Sequence, residues 1–112
     1  MGTHAWQPFS VTVSTDGDRA TVFLRGELDM SGVDRAREAI EQAESDGGTL
    51  LVLDLSELDF IDSTGLEVML RAARRAHDDG RRLIVQRPSV YIRRLLEMTA
   101  IDQSLDIVED VV

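Results

Sequence analysis

A run of four apolar residues, Leu50-Leu51-Val52-Leu53, constrains the fold of this chain more than any other feature. The run is too short for a helix, and it lacks the alternation of a strand that has one face in solvent. Gly47-Gly48 lies just before the run, and Asp54 ends it. Such a segment is typical of a central parallel strand that is covered on both faces. We therefore expect an α/β fold.

Amphipathic segments on either side of this strand predict three helices. The first follows an expected N-cap at Ser31 and ends near Asp46-Gly47-Gly48, the second covers residues 63–78, and the third begins near Pro88. The expected apolar faces are Val33, Ala36, Ile40 and Ala43 in the first helix, Leu66, Met69, Leu70, Ala73 and Ala76 in the second, and Tyr91, Ile92, Leu95, Leu96 and Met98 in the third.

The remaining apolar segments predict the rest of a mixed sheet. Residues 9–14 and 20–24 flank Asp16-Gly17 and should form an antiparallel hairpin, after which Gly26-Glu27-Leu28-Asp29 breaks the strand pattern. Residues 83–85 and 105–108 predict two further strands. The order β-β-α-β-α-β-α-β indicates four to five strands, parallel after the hairpin, with three helices mainly on one face. We expect a single domain over residues 1–112, with residues 1–7 and 109–112 loose.

Charge and composition narrow the functional classes. The 21 acidic and 12 basic residues give a net charge of -9, which argues against binding of nucleic acid or of an anionic membrane surface. The excess of acid supports solubility, or it complements a basic protein partner. Five basic residues are interpreted as a solvated helix end that suits the dipole: Arg71, Arg74, Arg75, Arg81 and Arg82.

Cysteine is absent, so disulfides and thiolate metal sites are excluded. No apolar run reaches the ~18 residues of a membrane span, and the N-terminus lacks the pattern of a secretory signal. We expect a cytoplasmic protein that does not associate with membranes.

The turn Asp62-Ser63-Thr64-Gly65 places a hydroxyl where the second helix begins. A helix N-terminus has unpaired N–H groups and a partial positive charge, so a serine there either caps the helix or carries a phosphate. The residues alone leave both interpretations open, and Asp62, Ser63 or a Thr64–Glu67 capping box could supply the cap. Gly65 weakens the helix, which suggests that another backbone approaches it closely.

An enzymatic use of Ser63 lacks a base. His77 lies about 20 Å away along the same helix and His4 is near the terminus, so we expect no catalytic residue and no enzyme. The turn also lacks the glycines and lysine of a phosphate-binding loop. Aspartates at strand ends fit caps and turns better than a magnesium site, so no metal or cofactor is expected: Asp29, Asp54, Asp59 and Asp62.

Two segments resemble the markers of a known family. Phe60-Ile61-Asp62-Ser63-Thr64-Gly65-Leu66, preceded by Leu51-Val52-Leu53-Asp54-Leu55, is similar to the signature of STAS domains, and Gly26-Glu27-Leu28-Asp29 matches the second marker. Residues 94–99 resemble the family's third helix, although Ala100-Ile101 stands where many members have glycine and leucine. Within the superfamily, the chain most resembles the bacterial anti-sigma factor antagonists.

The resemblance implies a phosphorylation cycle. An unphosphorylated antagonist binds an anti-sigma factor and frees the sigma factor, and the anti-sigma factor, which is also a serine kinase, phosphorylates Ser63 and so abolishes binding. A metal-dependent serine/threonine phosphatase reverses the modification. The resemblance also implies that Asp29 and Asp62 lie at the partner interface, with Ser63, Thr64 and Gly65. The alternative is a STAS accessory subunit of a lipid or anion transport complex.

Overall fold

Three helices and five strands follow one another in the part of the chain that the structure, a computed structural model, describes: residues 8–46, 48–99 and 106–109. Their order is β1 (Ser10–Asp16), β2 (Arg19–Leu28), α1 (Val33–Ser45), β3 (Leu50–Ile61), α2 (Ser63–Asp78), β4 (Arg82–Gln86), α3 (Val90–Met98) and β5 (Asp106–Val108). This is the predicted order. Expectations for residues 1–7, Gly47, Ala100-Ile101, Leu105 and residues 110–112 lie outside the described residues.

The five strands form one mixed sheet in the order β1-β2-β3-β4-β5. β1 pairs with β2 antiparallel, and every other pair is parallel. The hairpin turn is confirmed, because Asp16 pairs with Arg19 and Gly17 between them has a φ of +62°. The predicted mixed sheet with an antiparallel N-terminal hairpin is therefore confirmed, at five strands.

β3 is the central strand, as its apolar run predicts. Residues 51–55 are all buried. The expected break at Gly26-Glu27-Leu28-Asp29 is wrong for its first three residues, because β2 continues to Leu28 beside β3. The pairing of β2 with β3 has two register shifts, one of them next to Gly26, which has a φ of +83°. The shifts change the register of the two strands without ending their pairing.

The buried faces of the three helices join one core with Val22, Leu53 and Val85 of the sheet. The predicted face of α2 is rotated, because Val68 is buried whereas Leu66 is only partly covered. Ala72 of α2 is also buried and Leu70 is partly covered. In α1, Ala39 is buried and Val33 is only partly buried, and in α3 Tyr91 and Met98 are exposed. α2 packs against α1 as well as against the sheet, so its buried face is wider than a single stripe.

The expected N-cap at Ser31 is wrong. The N-cap of α1 is Gly32, which makes no side-chain capping bond. The N–H and hydroxyl of Ser31 both donate to Asp29 Oδ1, at 2.9 and 2.6 Å, so Ser31 belongs to the preceding turn. Because the Asx turn formed by Asp29 already binds the Ser31 hydroxyl, that hydroxyl does not cap the helix.

Asp54 is the one charged residue that is buried in the described part of the chain. Its carboxylate accepts from the Ser56 hydroxyl at 2.6 Å and from Gln86 Nε2 at 2.7 Å. Burial acts to raise its pKa, but the hydrogen bonds from Ser56 and Gln86, with the charge of Arg87, outweigh burial. They hold the pKa of Asp54 below its ordinary value of 3.8.

We predict that Asp54→Asn lowers the free energy of unfolding at pH 7 by about 1–2 kcal/mol, because it removes charge-assisted hydrogen bonds. A carboxyl whose pKa is lowered by folding stabilises the protein above the unfolded pKa and loses this effect as pH falls through the folded pKa. The difference between the two proteins should therefore narrow below about pH 4. Urea denaturation at several pH values measures it.

The matched control is Asp59→Asn, since Asp59 is exposed on the same strand. We expect it to change stability by less than about 0.5 kcal/mol. A gap between Asp54→Asn and the parent that stayed constant down to pH 3 would contradict the prediction.

Candidate functional site

The paired ends of β2 and β3 bring two loops to one edge of the sheet. Leu28 pairs with Ile61 in the parallel register, and the Asp62 N–H donates to the Leu28 carbonyl at 3.1 Å. The chain then leaves β2 through Asp29 toward α1 and leaves β3 through Asp62 toward α2. The pairing therefore places both aspartates at the carboxyl ends of neighbouring strands, where α/β folds commonly hold their functional groups.

Asp62 is the N-cap of α2. Its Oδ1 accepts from the Thr64 hydroxyl at 2.6 Å and from the Gly65 N–H at 3.0 Å. The pKa of Asp62 is held below its ordinary value, mainly because the Thr64 hydroxyl donates to the carboxylate. Partial burial acts to raise this pKa, but the N–H groups of Gly65, Thr64 and Met30 also donate and help to outweigh it. Of the three capping arrangements left open by the sequence, the structure adopts the cap by Asp62.

The two adjacent hydroxyls of the turn differ in availability. Thr64 is partly buried and its hydroxyl is used by Asp62. Ser63 is exposed, and its hydroxyl forms no hydrogen bond with another residue of the described ranges. Because Asp62 caps the helix, Ser63 is not needed for capping and its hydroxyl remains accessible.

Gly65 allows the start of α2 to pack on the ends of β2 and β3. A Cβ at this position would lie 2.8 Å from Leu28 Cγ and 2.9 Å from Ile61 Cγ1. The expected close approach is present, but side chains make it, not a backbone. A side chain at residue 65 would push the helix start away from the strand ends.

Asp29 shapes its own loop. The Asp29 carboxylate accepts from Ser31, and the Asp29 backbone carbonyl accepts from the Gly32 N–H at 2.9 Å. Met30 follows it and is 75% exposed, although it is apolar. Sequence reasoning missed Met30; the signal for it was a large apolar residue inside a polar turn next to a marker motif.

A groove of about 470 Å³ runs between α1 and α2, with Ser63 among its lining residues. Arg71 in this groove pairs with Glu67 at 3.2 Å, and Arg75 pairs across the helices with Glu44 at 3.1 Å. The interpretation of these arginines as a solvated helix end is therefore wrong for Arg75, which is partly buried and tied to α1, whereas Arg71 is exposed. Arg37 lines the groove from the α1 side, and sequence reasoning did not single it out.

The described residues at this edge of the sheet do not form a catalytic or metal-binding group. His77 lies at the opposite end of α2 from Ser63 and is exposed. In residues 8–46, 48–99 and 106–109, no three His, Cys, Asp or Glu side chains are grouped as a metal site would need. Asp29, Asp54 and Asp62 are instead occupied by hydrogen bonds from nearby residues. Within the same ranges, no helix is both long enough and apolar enough to cross a membrane.

Comparisons with known proteins agree with this architecture. A family model described as "Mlab, STAS domain" matches residues 11–109. The anti-sigma-B factor antagonist of Listeria monocytogenes is 30% identical to this chain over 92 residues, which are 82% of this chain and 81% of that protein.

Two solved structures share the fold. An anti-sigma factor antagonist from Mycobacterium paratuberculosis has a TM-score of 0.82 at 22% identity, covering 93% of this chain and 88% of that one. The Bacillus cell fate determinant SpoIIAA in its phosphorylated form has a TM-score of 0.70 at 23% identity, covering 89% and 90%.

We predict that Gly65→Ala destabilises the protein by about 1–3 kcal/mol, because the added Cβ overlaps buried Leu28 and Ile61. This loss outweighs the gain of up to about 1 kcal/mol that alanine brings in a helix. Chemical denaturation measures the change. The control is Ser63→Ala, two residues earlier and exposed, which should change stability by less than about 0.5 kcal/mol. A Gly65→Ala protein as stable as the parent would refute the close-packing explanation.

Proposed function

The chain belongs to the STAS domain family, and we propose that it is an anti-sigma factor antagonist whose binding is controlled by phosphorylation of Ser63. The antagonist of Listeria monocytogenes supports this function at 30% identity over most of both chains. The observation that carries the choice of residue is the exposed Ser63 hydroxyl beside a helix that Asp62 already caps. A phosphate can be added there without removing the cap.

The proposed partner is an anti-sigma factor with serine kinase activity. It would transfer the γ-phosphoryl group of ATP to Ser63 Oγ, forming an O–P bond and releasing ADP and the hydroxyl proton. A metal-dependent serine/threonine phosphatase would hydrolyse that bond and release inorganic phosphate. In this scheme both catalytic centres belong to partners in the cytoplasm, and this chain is a substrate and binding module, not an enzyme.

The proposed interface consists of the loop at Asp29 and the turn from Asp62 through Gly65. These segments are adjacent because β2 and β3 end together. Met30 follows Asp29 in the first of these loops, and its N–H is hydrogen-bonded to Asp62 of the second. Its exposed side chain would supply apolar contact area. Asp29 and Asp62 already give this edge negative charge.

Phosphorylation would break such an interface by local charge. It adds about -1.5 to -2 charges at neutral pH beside two carboxylates. A charge that is buried against a partner without a counter-ion costs several kcal/mol, and each 1.4 kcal/mol is a tenfold loss of affinity. The fold should be unchanged, since the dipole of α2 favours an anion at its start and phosphorylated SpoIIAA has the same fold.

We predict that incubation with ATP and the cognate anti-sigma kinase adds one phosphate, at Ser63. Fragment mass spectrometry locates it. Ser63→Ala should abolish the modification, whereas Thr64→Val, which removes the hydroxyl already used by Asp62, should still be modified. Phosphate found on Thr64 alone would reassign the switch residue.

We also predict that Ser63→Asp weakens binding of the purified anti-sigma factor at least tenfold, because an unpaired charge enters the interface. Isothermal titration calorimetry measures the affinity. Ser14→Asp adds the same charge on exposed β1 and should bind like the parent. Equal binding by Ser63→Asp and the parent would refute the proposal, and copurification with a membrane ATPase would favour a transport-complex subunit instead.

A further inference from the structure

The groove between α1 and α2 brings a cation and the proposed switch serine together. Arg37 of α1 and Ser63 of α2 both line it, with Val33 and Thr64 near the same end. A phosphate on Ser63 Oγ and the guanidinium of Arg37 would therefore share one open space between the two helices.

The direction of the helices places Arg37 and Ser63 toward the same end of the groove. α1 and α2 run side by side in the same direction, since their first residues, Val33 and Ser63, line one groove and the Glu44–Arg75 pair joins the far ends. Long side chains on a helix lean toward its N-terminus, and Arg37 Nη2 indeed donates to Asp34 Oδ1, one turn earlier. The Arg37 guanidinium thus lies at the level where both helices begin.

Arg37 is also the arginine of this groove that is easiest to redirect. Its pair with Asp34 is exposed, with 44% and 79% of the two side chains accessible, and exposed pairs at this spacing contribute little. Arg75 is held by Glu44, whose side chain is only 13% exposed. Arg71 lies two turns of α2 away from Ser63 and is paired with Glu67.

The residues that line the groove carry more positive than negative charge, although Asp34 and Glu44, outside the lining, pair with Arg37 and Arg75. The charged lining consists of three arginines and one carboxylate, in a chain of net charge -9: Arg37, Arg71, Arg75 and Glu67. This cationic lining is independent of the position of Ser63 at a helix start.

We propose that Arg37 is the intramolecular ligand of phosphorylated Ser63, and that it leaves Asp34 to bind the phosphate. This inference rests on the proposed phosphorylation of Ser63. A guanidinium binds phosphate oxygens through two parallel N–H···O bonds, which are stronger than the single exposed bond to Asp34. The carboxylate of Asp34, at the start of α1, then loses its cationic partner. Phosphorylation therefore adds negative charge on α2 and leaves a second, unpaired negative charge on α1, and both are presented to the partner protein.

The test uses the full chain with phosphoserine placed at position 63 by codon expansion. ³¹P NMR follows the second ionisation of the phosphate as pH is varied. We expect the phosphate pKa to be lower in the parent than in Arg37→Gln by roughly half a pH unit, as an exposed counter-ion would produce. Arg94→Gln removes an exposed arginine of α3 and should leave the titration unchanged.

Two further variants keep the test decisive if Arg37→Gln folds poorly. Arg37→Lys keeps the positive charge but lacks the planar guanidinium that binds two phosphate oxygens. Its phosphate pKa should lie between those of the parent and Arg37→Gln. Asp34→Asn frees Arg37 and should lower the phosphate pKa more in the parent than in the Arg37→Lys background. Identical titrations with and without Arg37, or equal effects of Asp34→Asn in both backgrounds, would overturn the proposal.

The titration needs neither a kinase nor an anti-sigma factor. If the phosphate pKa were the same in the parent and in Arg37→Gln, the proposed role of Arg37 would be refuted. The prediction that a charge at residue 63 weakens partner binding would be unaffected. A clear shift with no effect of phosphorylation on partner binding would instead remove the proposed function and leave the ion pair.

Discussion

The parallel pairing of β2 with β3 out to Leu28 and Ile61 is the contact on which the site depends. It ends both strands at one level and lets the Asp62 N–H reach the Leu28 carbonyl. Gly65 then allows α2 to start directly against the same two side chains. Without this pairing, the loop at Asp29 and the turn at Asp62 would be separate surface segments and would not form one continuous surface.

Within three residues, the turn before α2 contains two polar side chains that stabilise the helix start and one hydroxyl that is exposed. Asp62 caps the helix and Thr64 supports the cap, so both polar side chains are committed to the fold. Ser63 lies between them with an exposed hydroxyl. A covalent modification at such a position changes the surface charge while the hydrogen bonds that start the helix persist, which is the requirement for a reversible switch.

Most of the fold was predictable because its strongest signals are local. The apolar run at residues 50–53 and the Asp16-Gly17 turn fix a central strand and a hairpin through backbone and burial preferences alone. The errors arose where one specific contact, distant or local, overrode the pattern. β2 extends past Gly26 because β3 pairs with it, and Ser31 leaves its helix uncapped because Asp29 binds it first.

The sequence by itself determined the order of the elements, the motif around Ser63 and the choice of candidate aspartates, since these follow from residue type and spacing. Only the tertiary structure decided which side chain caps α2, which hydroxyl is accessible, and that Arg37 of a different helix lines the same groove as Ser63. The cap depends on which of several adjacent polar side chains reaches the free N–H groups, and the groove depends on packing between two helices that are distant in the chain. Hydrophobic periodicity contains no information about either outcome.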